Sequence, residues 1–370
     1  MRVHLDNIIF SLQTSGGISV YWAEMLSRMI RDNIDLTIEE SAGASENLFR
    51  RAVPIAEARS IYDRRPVRLS RFMRAIGPTP SGAIFHSSYY RRPQTRHACE
   101  IQTVHDFTYE RYLGIARRTI HAIQKASAVR AARGIICISS STKKDLLETY
   151  PFVDPAMVTV IHHGYSTDFK PVDEDSARSA IREIGFDRPP FCIFVGKRCH
   201  HKNFWAAANA VALSADMSLL LIGGPPLSRM ERHRLQALLP SRWGHVRQTP
   251  TRLLNAAYAL AHALIYPSSY EGFGLPVIEA MAAGCPVIAV RASSIPEVAG
   301  DAGLLVDAPD PRLIAVQLEQ LRFERVRQMT RAAGLANAGR FSWERCFQQT
   351  IDFYRQTLAT QGLTPTISPK

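Results

Sequence analysis

No run of eighteen or more apolar residues occurs in the 370-residue chain, which excludes a membrane-spanning helix on sequence grounds. The longest candidates, 258–267 and 275–290, are too short or carry Glu279. The first residues also lack the apolar stretch of a signal peptide, because Asp6 interrupts it, so the chain is expected to stay in the cytosol. Paired cysteines are missing as well. The six present (Cys99, Cys137, Cys192, Cys199, Cys285 and Cys346) never occur two residues apart, which argues against a zinc ribbon or a redox pair. Most lie in apolar runs, where cysteine behaves as a small buried hydrophobe. Acidic residues are scarce between positions 50 and 96, where eleven arginines face only Glu57 and Asp63. That imbalance accounts for most of the net charge of +12 and points to an anionic partner.

What is present is the composition of an ordinary globular protein, with 46% hydrophobic and 21% charged residues. Short apolar runs alternate with amphipathic helical segments throughout, the pattern of βαβ units around parallel sheets. Expected strands are 7–10, 83–85, 100–104, 134–139 and 157–161 in the first half. In the second half they are 191–195, 218–222, 263–266, 286–290 and 304–306. The reading is an α/β protein of two doubly wound, Rossmann-like domains: 1–172, a polar linker at 173–190, and 191–341. A last helix within 342–370 is expected to pack back on the first domain, followed by a loose tail. Ligands of such sheets bind beyond the carboxyl ends of the strands, so the expected site is a cleft between the two domains.

The strongest local signal runs from Ser269 to Gly284. Glu271 is followed by Gly272, Phe273, Gly274 and Leu275, then by a short helix carrying Glu279. Glycines let the backbone approach a ligand, and a helix start presents free N–H groups to an anion. Two carboxylates framing that turn suit the hydroxyls at two ends of one ligand. A second signal is Gly196-Lys197-Arg198 with Lys202 and Asn203. Basic residues four apart, between a strand and a helix, suit a diphosphate. Weaker candidates are Gly16 and Gly17, before a helix with apolar Ile18, Tyr21, Trp22, Met25, Leu26 and Met29. Further ones are His105-Asp106 after the strand at 100–104, and His163 in a strand-end turn. Asp173-Glu174-Asp175 formally matches a metal-binding D-x-D but lies in a charged segment, and it is read as a solvated face. The motifs of P-loop NTPases, zincins and α/β-hydrolases are missing.

The segment from Glu271 to Glu279 resembles the E-x7-E signature of retaining GT-B glycosyltransferases of family four, among which bacterial mannosyltransferases of lipopolysaccharide and polysaccharide assembly are the nearest in kind. The resemblance covers most of the chain. It implies the GT-B fold and a metal-independent transfer from a GDP- or UDP-linked sugar, mannose among the candidates, to a glycan or lipid-linked glycan. No cofactor is implied beyond that nucleotide-sugar substrate. It assigns Glu271 to the transferred sugar, Glu279 to the ribose, and Arg198 and Lys202 to the diphosphate. Lys197 stands where some relatives place the basic residue. The resemblance further implies that the amides of Gly272, Phe273, Gly274 and Leu275 meet phosphate and sugar and that Gly16, Gly17 and His163 face the donor. By the same resemblance His105 is expected near the anomeric carbon, with Asp106 in a support or acceptor role. A nucleotide-sugar 2-epimerase of the same fold and a non-catalytic sugar-nucleotide-binding protein stay open as alternatives.

If a helix starts at Pro66, Arg68, Arg71 and Arg74 fall on one side and Leu69, Phe72, Met73 and Ile76 on the other. Segment 64–74 then either packs its apolar stripe on the core or leans on an anionic membrane, which would place the protein at the inner face of the plasma membrane. Nucleic acid is not expected, since no recognition motif accompanies the charge.

Overall fold

The computed structural model describes residues 1–55, 60–112, 115–186, 188 and 190–362. The chain divides into two units: Met1–Gly164 together with Trp343–Lys370, and Tyr165–Ser342.

The first unit is built on β1 (Arg2–Asp6), β2 (Asp35–Ser41), β3 (Ser60–Asp63), β4 (Ile84–Ser87), β5 (Cys99–Val104), β6 (Gly134–Cys137) and β7 (Val158–Val160). Its seven strands lie in the order β3-β2-β1-β4-β5-β6-β7, every pair parallel. The helix Gly17–Arg31 buries Tyr21, Trp22, Met25, Leu26 and Met29, the stripe its 3.6-residue period dictates. The helix Trp343–Thr360 also belongs to this unit and buries Trp343, Phe347, Ile351, Tyr354 and Leu358.

The second unit is built on β8 (Phe191–Val195), β9 (Ser218–Ile222), β10 (Trp243–Val246), β11 (Ala263–Tyr266), β12 (Val287–Val290) and β13 (Leu304–Val306). The order is β10-β9-β8-β11-β12-β13, again all parallel. Its strands are apolar on both faces because helices cover both sides. Phe194, Leu219, Leu221, Ile265 and Ile288 form one core with Phe204, Val211, Leu235 and Leu318 from the helices. In each sheet the strand order reverses once, between β1 and β4 and between β8 and β11. Such a reversal opens a crevice at the carboxyl ends of the two strands.

Several expectations change. The strand expected at 7–10 lies at Arg2–Asp6, and Ile9–Leu12 is a helical turn. Residues 173–190 are not merely a connection. Asp173 caps the helix Glu174–Glu183 by accepting from the Ser176 amide at 2.9 Å, and that helix packs on Thr251–Leu260 through Ala177, Ala180, Leu253 and Ala256. Helix in the arginine-rich segment is limited to Val67–Ser70.

The arginine cluster is also less free than its sequence suggests. Arg91 is fully buried between Asp6 at 2.9 Å, Glu39 at 2.9 Å and Asp63 at 3.1 Å. Arg50 pairs with Glu40, Arg65 with Asp63 and Arg92 with Glu100. Arg71 donates to the Tyr89 hydroxyl and Arg74 to the Pro93 carbonyl. Arg91 is buried and Arg71 half-buried, while Arg68 and Arg74 stay exposed together with Leu69, Phe72 and Met73. Of the two readings left open for this segment, packing of the apolar stripe on the core does not hold for Leu69, Phe72 and Met73. Among the described residues no helix is long and apolar enough to cross a membrane.

Candidate active site

The two reversal points differ in what fills them. In the first sheet, Asp6 ends β1, Glu39 lies beside it in β2, and Asp63 ends β3, all converging on Arg91. Ser87 at the end of β4 donates to Asp6 at 2.7 Å. Burial pushes the Asp6 carboxyl up, against the pull of Arg91. An internal ion cluster thus occupies the crevice that a nucleotide would need.

The second sheet leaves the corresponding place to two loops. After β8 come Gly196, Lys197, Arg198 and the turn His200–Lys202; after β11 come Glu271 and the turn into the helix Leu275–Ala282. The loops are joined directly. The Ser269 amide donates to the His201 carbonyl at 2.8 Å. Asn203 donates to the Pro267 carbonyl at 2.9 Å and to the Ser269 hydroxyl at 2.6 Å. Lys202 Nζ reaches Glu271 Oε1 at 2.6 Å and the Tyr266 hydroxyl at 3.2 Å. The two strongest motifs of the sequence therefore meet in one ion pair, with both side chains mostly buried.

Gly274 holds φ near +115°, and a Cβ there would come within 2.9 Å of Ile295, so both backbone and space require glycine. Gly272 and Phe273 are buried, and the Phe273 ring packs edge-on against Phe341. Phe273 therefore offers its backbone rather than its ring to the site. Leu275 opens the helix with Pro276 behind it, a start that presents unpaired N–H groups. Glu279 lies one turn inside, and burial pushes its carboxyl up to about 7, with Tyr258 pulling the other way.

Arg198 is placed differently from Lys202. Its guanidinium donates to Glu231 at 3.0 Å and to the Pro225 carbonyl at 2.7 Å. Lys197 is the exposed member of the pair. Gly224, also at positive φ, lets the loop after β9 touch this turn: a Cβ there would stand 2.9 Å from the Gly196 carbonyl.

In the first unit, Gly16 precedes and Gly17 begins the helix Gly17–Arg31. Tyr21, one turn further, stacks on His163 at 5.0 Å and meets His105 edge-on at 5.3 Å. The weaker candidates thus share one end of this sheet. Burial pushes the His105 imidazole down to about 3, with Lys125 adding to the effect, and lowers His163 well below its ordinary range. Both rings are neutral at physiological pH. His105 Nε2 is buried with no protein partner. Asp106 accepts from the Thr108 amide at 2.8 Å, and its carbonyl accepts from the buried Lys125 at 2.7 Å. It supports the turn that carries His105.

Two protein-family models match the chain: "Glycosyltransferase Family 4" over residues 15–169 and "Glycosyl transferases group 1" over residues 177–333. The chain belongs to the glycosyltransferases. One relative, O-antigen chain mannosyltransferase B of Escherichia coli, is 47% identical over 107 residues, covering 29% of this chain and 28% of that protein. Another, the α-maltose-1-phosphate synthase of Mycolicibacterium smegmatis, is 32% identical over 253 residues, 63% of this chain and 65% of its own length. The alignments span less than two thirds of either relative. Among solved structures, sucrose-phosphate synthase of Thermosynechococcus elongatus superimposes with a TM-score of 0.75 at 19% identity, covering 97% of this chain and 100% of that one. That likeness shows the two-sheet α/β fold.

The site of this glycosyltransferase contains residues that no sequence signal singled out. The Glu271 amide donates to the Ser293 hydroxyl at 2.8 Å. Ser294, fully buried, lies within hydrogen-bond reach of the carbonyls of Glu271 at 2.9 Å and Phe273 at 2.7 Å. These serines follow β12 and hold the turn in shape. Asn203, at φ 47° in the left-handed region, does the same for the first loop.

Proposed function

We propose that the protein transfers a mannosyl residue from a nucleotide-sugar to a hydroxyl of a glycan or lipid-linked glycan, with retention of the anomeric configuration, in assembly of an O-antigen or related polysaccharide. The observation that carries this reading is the Lys202–Glu271 pair at the reversal of the second sheet. Kinship with the O-antigen mannosyltransferase supports the sugar and the pathway type.

In this reading the second unit holds the donor. An ammonium group has three donors; Glu271 and Tyr266 take two, and the third serves a phosphate oxygen. The amides of Gly272, Gly274 and Leu275 add a preorganised dipole where charge grows on the departing diphosphate. Lys202 and Arg198 supply the positive charge that a divalent cation supplies elsewhere. Arg198 keeps its Nη1 without a hydrogen-bond partner among the described residues, so it has a donor to offer a phosphate. Glu271 positions the sugar and stabilises its developing positive charge, and Glu279 accepts from ribose hydroxyls. The leaving phosphate takes the acceptor proton. His105, neutral and with an unpaired Nε2, is suited to a sugar hydroxyl rather than to charge stabilisation.

The test is a thermal-shift panel of GDP- and UDP-sugars on the wild type and on Lys202→Ala. A ligand in excess over its Kd raises the melting temperature by mass action. One donor should give a shift that the variant loses, and the product formed with an acceptor should keep the α configuration by NMR. No shift with any donor, or equal shifts in both proteins, would reject the assignment.

A membrane-bound acceptor is part of the same proposal. Leu69, Phe72 and Met73 are exposed beside Arg68, and Ile120 and Ile123 share a surface hollow with Phe72 and Met73. Apolar side chains with cations at their edge suit an anionic bilayer. The double variant Leu69→Ser/Phe72→Ser should lose co-sedimentation with anionic vesicles; undiminished binding would remove the membrane role.

A further inference from the structure

The second unit carries a cavity of about 430 Å³ that takes no part in the site above. Its walls include Phe191 at the start of β8 and His262 just before β11. It therefore opens at the amino ends of the strands whose carboxyl ends carry Lys197 and Glu271, roughly 15 Å away along a five-residue strand.

The wall chemistry is uneven. On one side Ile181, Phe186, Phe191 and Leu260 are apolar. On the other, Arg327 and Arg331 project from the helix Glu324–Ala338, with Arg188 beside them. None of these three has a carboxylate partner among the described residues. Arg327 is held by the neutral ring of His262 at 2.9 Å and by the Ala261 carbonyl. Arg188 donates to the Trp243 carbonyl. Arg331 is half-buried and makes no ion pair with the described residues. Elsewhere in this unit Arg198, Arg252, Arg291 and Arg322 all face carboxylates. Among the described residues Glu174 is the one acid lining the cavity, and it is already paired with Arg178, a fourth arginine of the wall. Beyond that pair, three further guanidinium groups around one partly enclosed space repel each other unless an anion joins them.

We propose that this cavity is a second ligand site, for a phosphomonoester carried on an apolar or aromatic body. Guanidinium forks match phosphate oxygens in pairs, and Phe186, Phe191 and Leu260 receive the body. The volume fits a small ligand. The site is independent of the donor assignment, so either can fail alone.

Calorimetric titration of the full chain carrying Lys202→Ala, which disables the donor clamp, tests it with three probes: inorganic phosphate, uridine 5′-monophosphate and dihexanoyl phosphatidic acid below its micelle concentration. One of the two esters should bind at one per chain and more tightly than phosphate alone. Tighter nucleotide identifies a soluble source, and tighter phosphatidic acid identifies a lipid. Arg331→Ala should weaken that ester about tenfold with unchanged circular dichroism and melting temperature. Ala259→Trp, which fills the cavity without touching a charge, should abolish binding as well. Failure of every probe to saturate, or binding undiminished in both variants, would overturn the proposal.

Discussion

Ser294 shows how one small side chain sets the site. Its hydroxyl lies within hydrogen-bond distance of two carbonyls of the turn between Glu271 and Gly274, and it is fully buried. Replacing it with alanine takes a donor from the Phe273 carbonyl, while Ser293 still donates to the Glu271 carbonyl at 2.9 Å, and losing that buried hydrogen bond costs about 1–3 kcal/mol. For a unit of this size that lowers the melting temperature by roughly 2–4 °C per kcal/mol. A turn relaxed by about 1 Å also misplaces Glu271 and costs on the order of 10²-fold in kcat/KM. Steady-state kinetics beside a melting curve separate the two effects: a lowered melting temperature with unchanged turnover would show that the turn needs no such support. Glu271, Glu279 and Lys202 could be read from the sequence because their spacing around glycines is local. Ser293 and Ser294 could not, because their partners lie more than twenty positions away and Ser-Ser after a strand carries no pattern of its own.

The same contrast holds between elements. The five strands at 191–195, 218–222, 263–266, 286–290 and 304–306 were legible because they are apolar on both faces. β2 was not, since Asp35-Leu-Thr-Ile-Glu-Glu-Ser reads as polar; its Glu39 can be buried because Arg91 and the amides of Ile76 and Gly77 reach it from other parts of the chain. β1 was read too late for the same reason: His4 and Asp6 are fully buried polar residues that break an apolar run. The helix Trp343–Thr360 carries a further consequence. Tyr354 is hydrogen-bonded to His86 in β4, His86 to Thr103 in β5, and Thr103 to Tyr21. Trp343 meets both Tyr21 and His163. Removing this helix forfeits the burial of its five large side chains, worth about 1.5–3 kcal/mol each. Their sum matches the about 5–15 kcal/mol that stabilises a whole domain. A chain ending at Ser342 should therefore lose protection from hydrogen exchange across β4 and β5 while the second unit keeps its own. Uniform protection in both units would mean that the helix is dispensable.

At the scale of the whole molecule, the two units differ in their response to acid. In the first, burial pushes His86 and His105 down to about 3 and lowers His163 as well. The unfolded chain takes up protons below about 6.5 while these folded rings do not, so stability present above that pH is lost as the pH falls. By pH 5 each ring accounts for about 2 kcal/mol. The raised Asp6 carboxyl works against this, but on fewer groups. In the second unit Glu279 is pushed up to about 7. The folded state holds its proton where the unfolded state has released it, so stability rises as the pH falls from about 7 towards 4.5. His262, lowered by burial, offsets part of that gain. Moving from pH 7.5 to pH 5 should thus weaken the first unit and leave the second nearly as stable. Hydrogen exchange read by mass spectrometry at the two pH values checks this unit by unit. Glu279→Gln, which cannot release a proton, should be more stable than the wild type at pH 7.5 and equal to it at pH 5. Loss of protection confined to the second unit at pH 5 would show that the buried histidines do not govern the acid response.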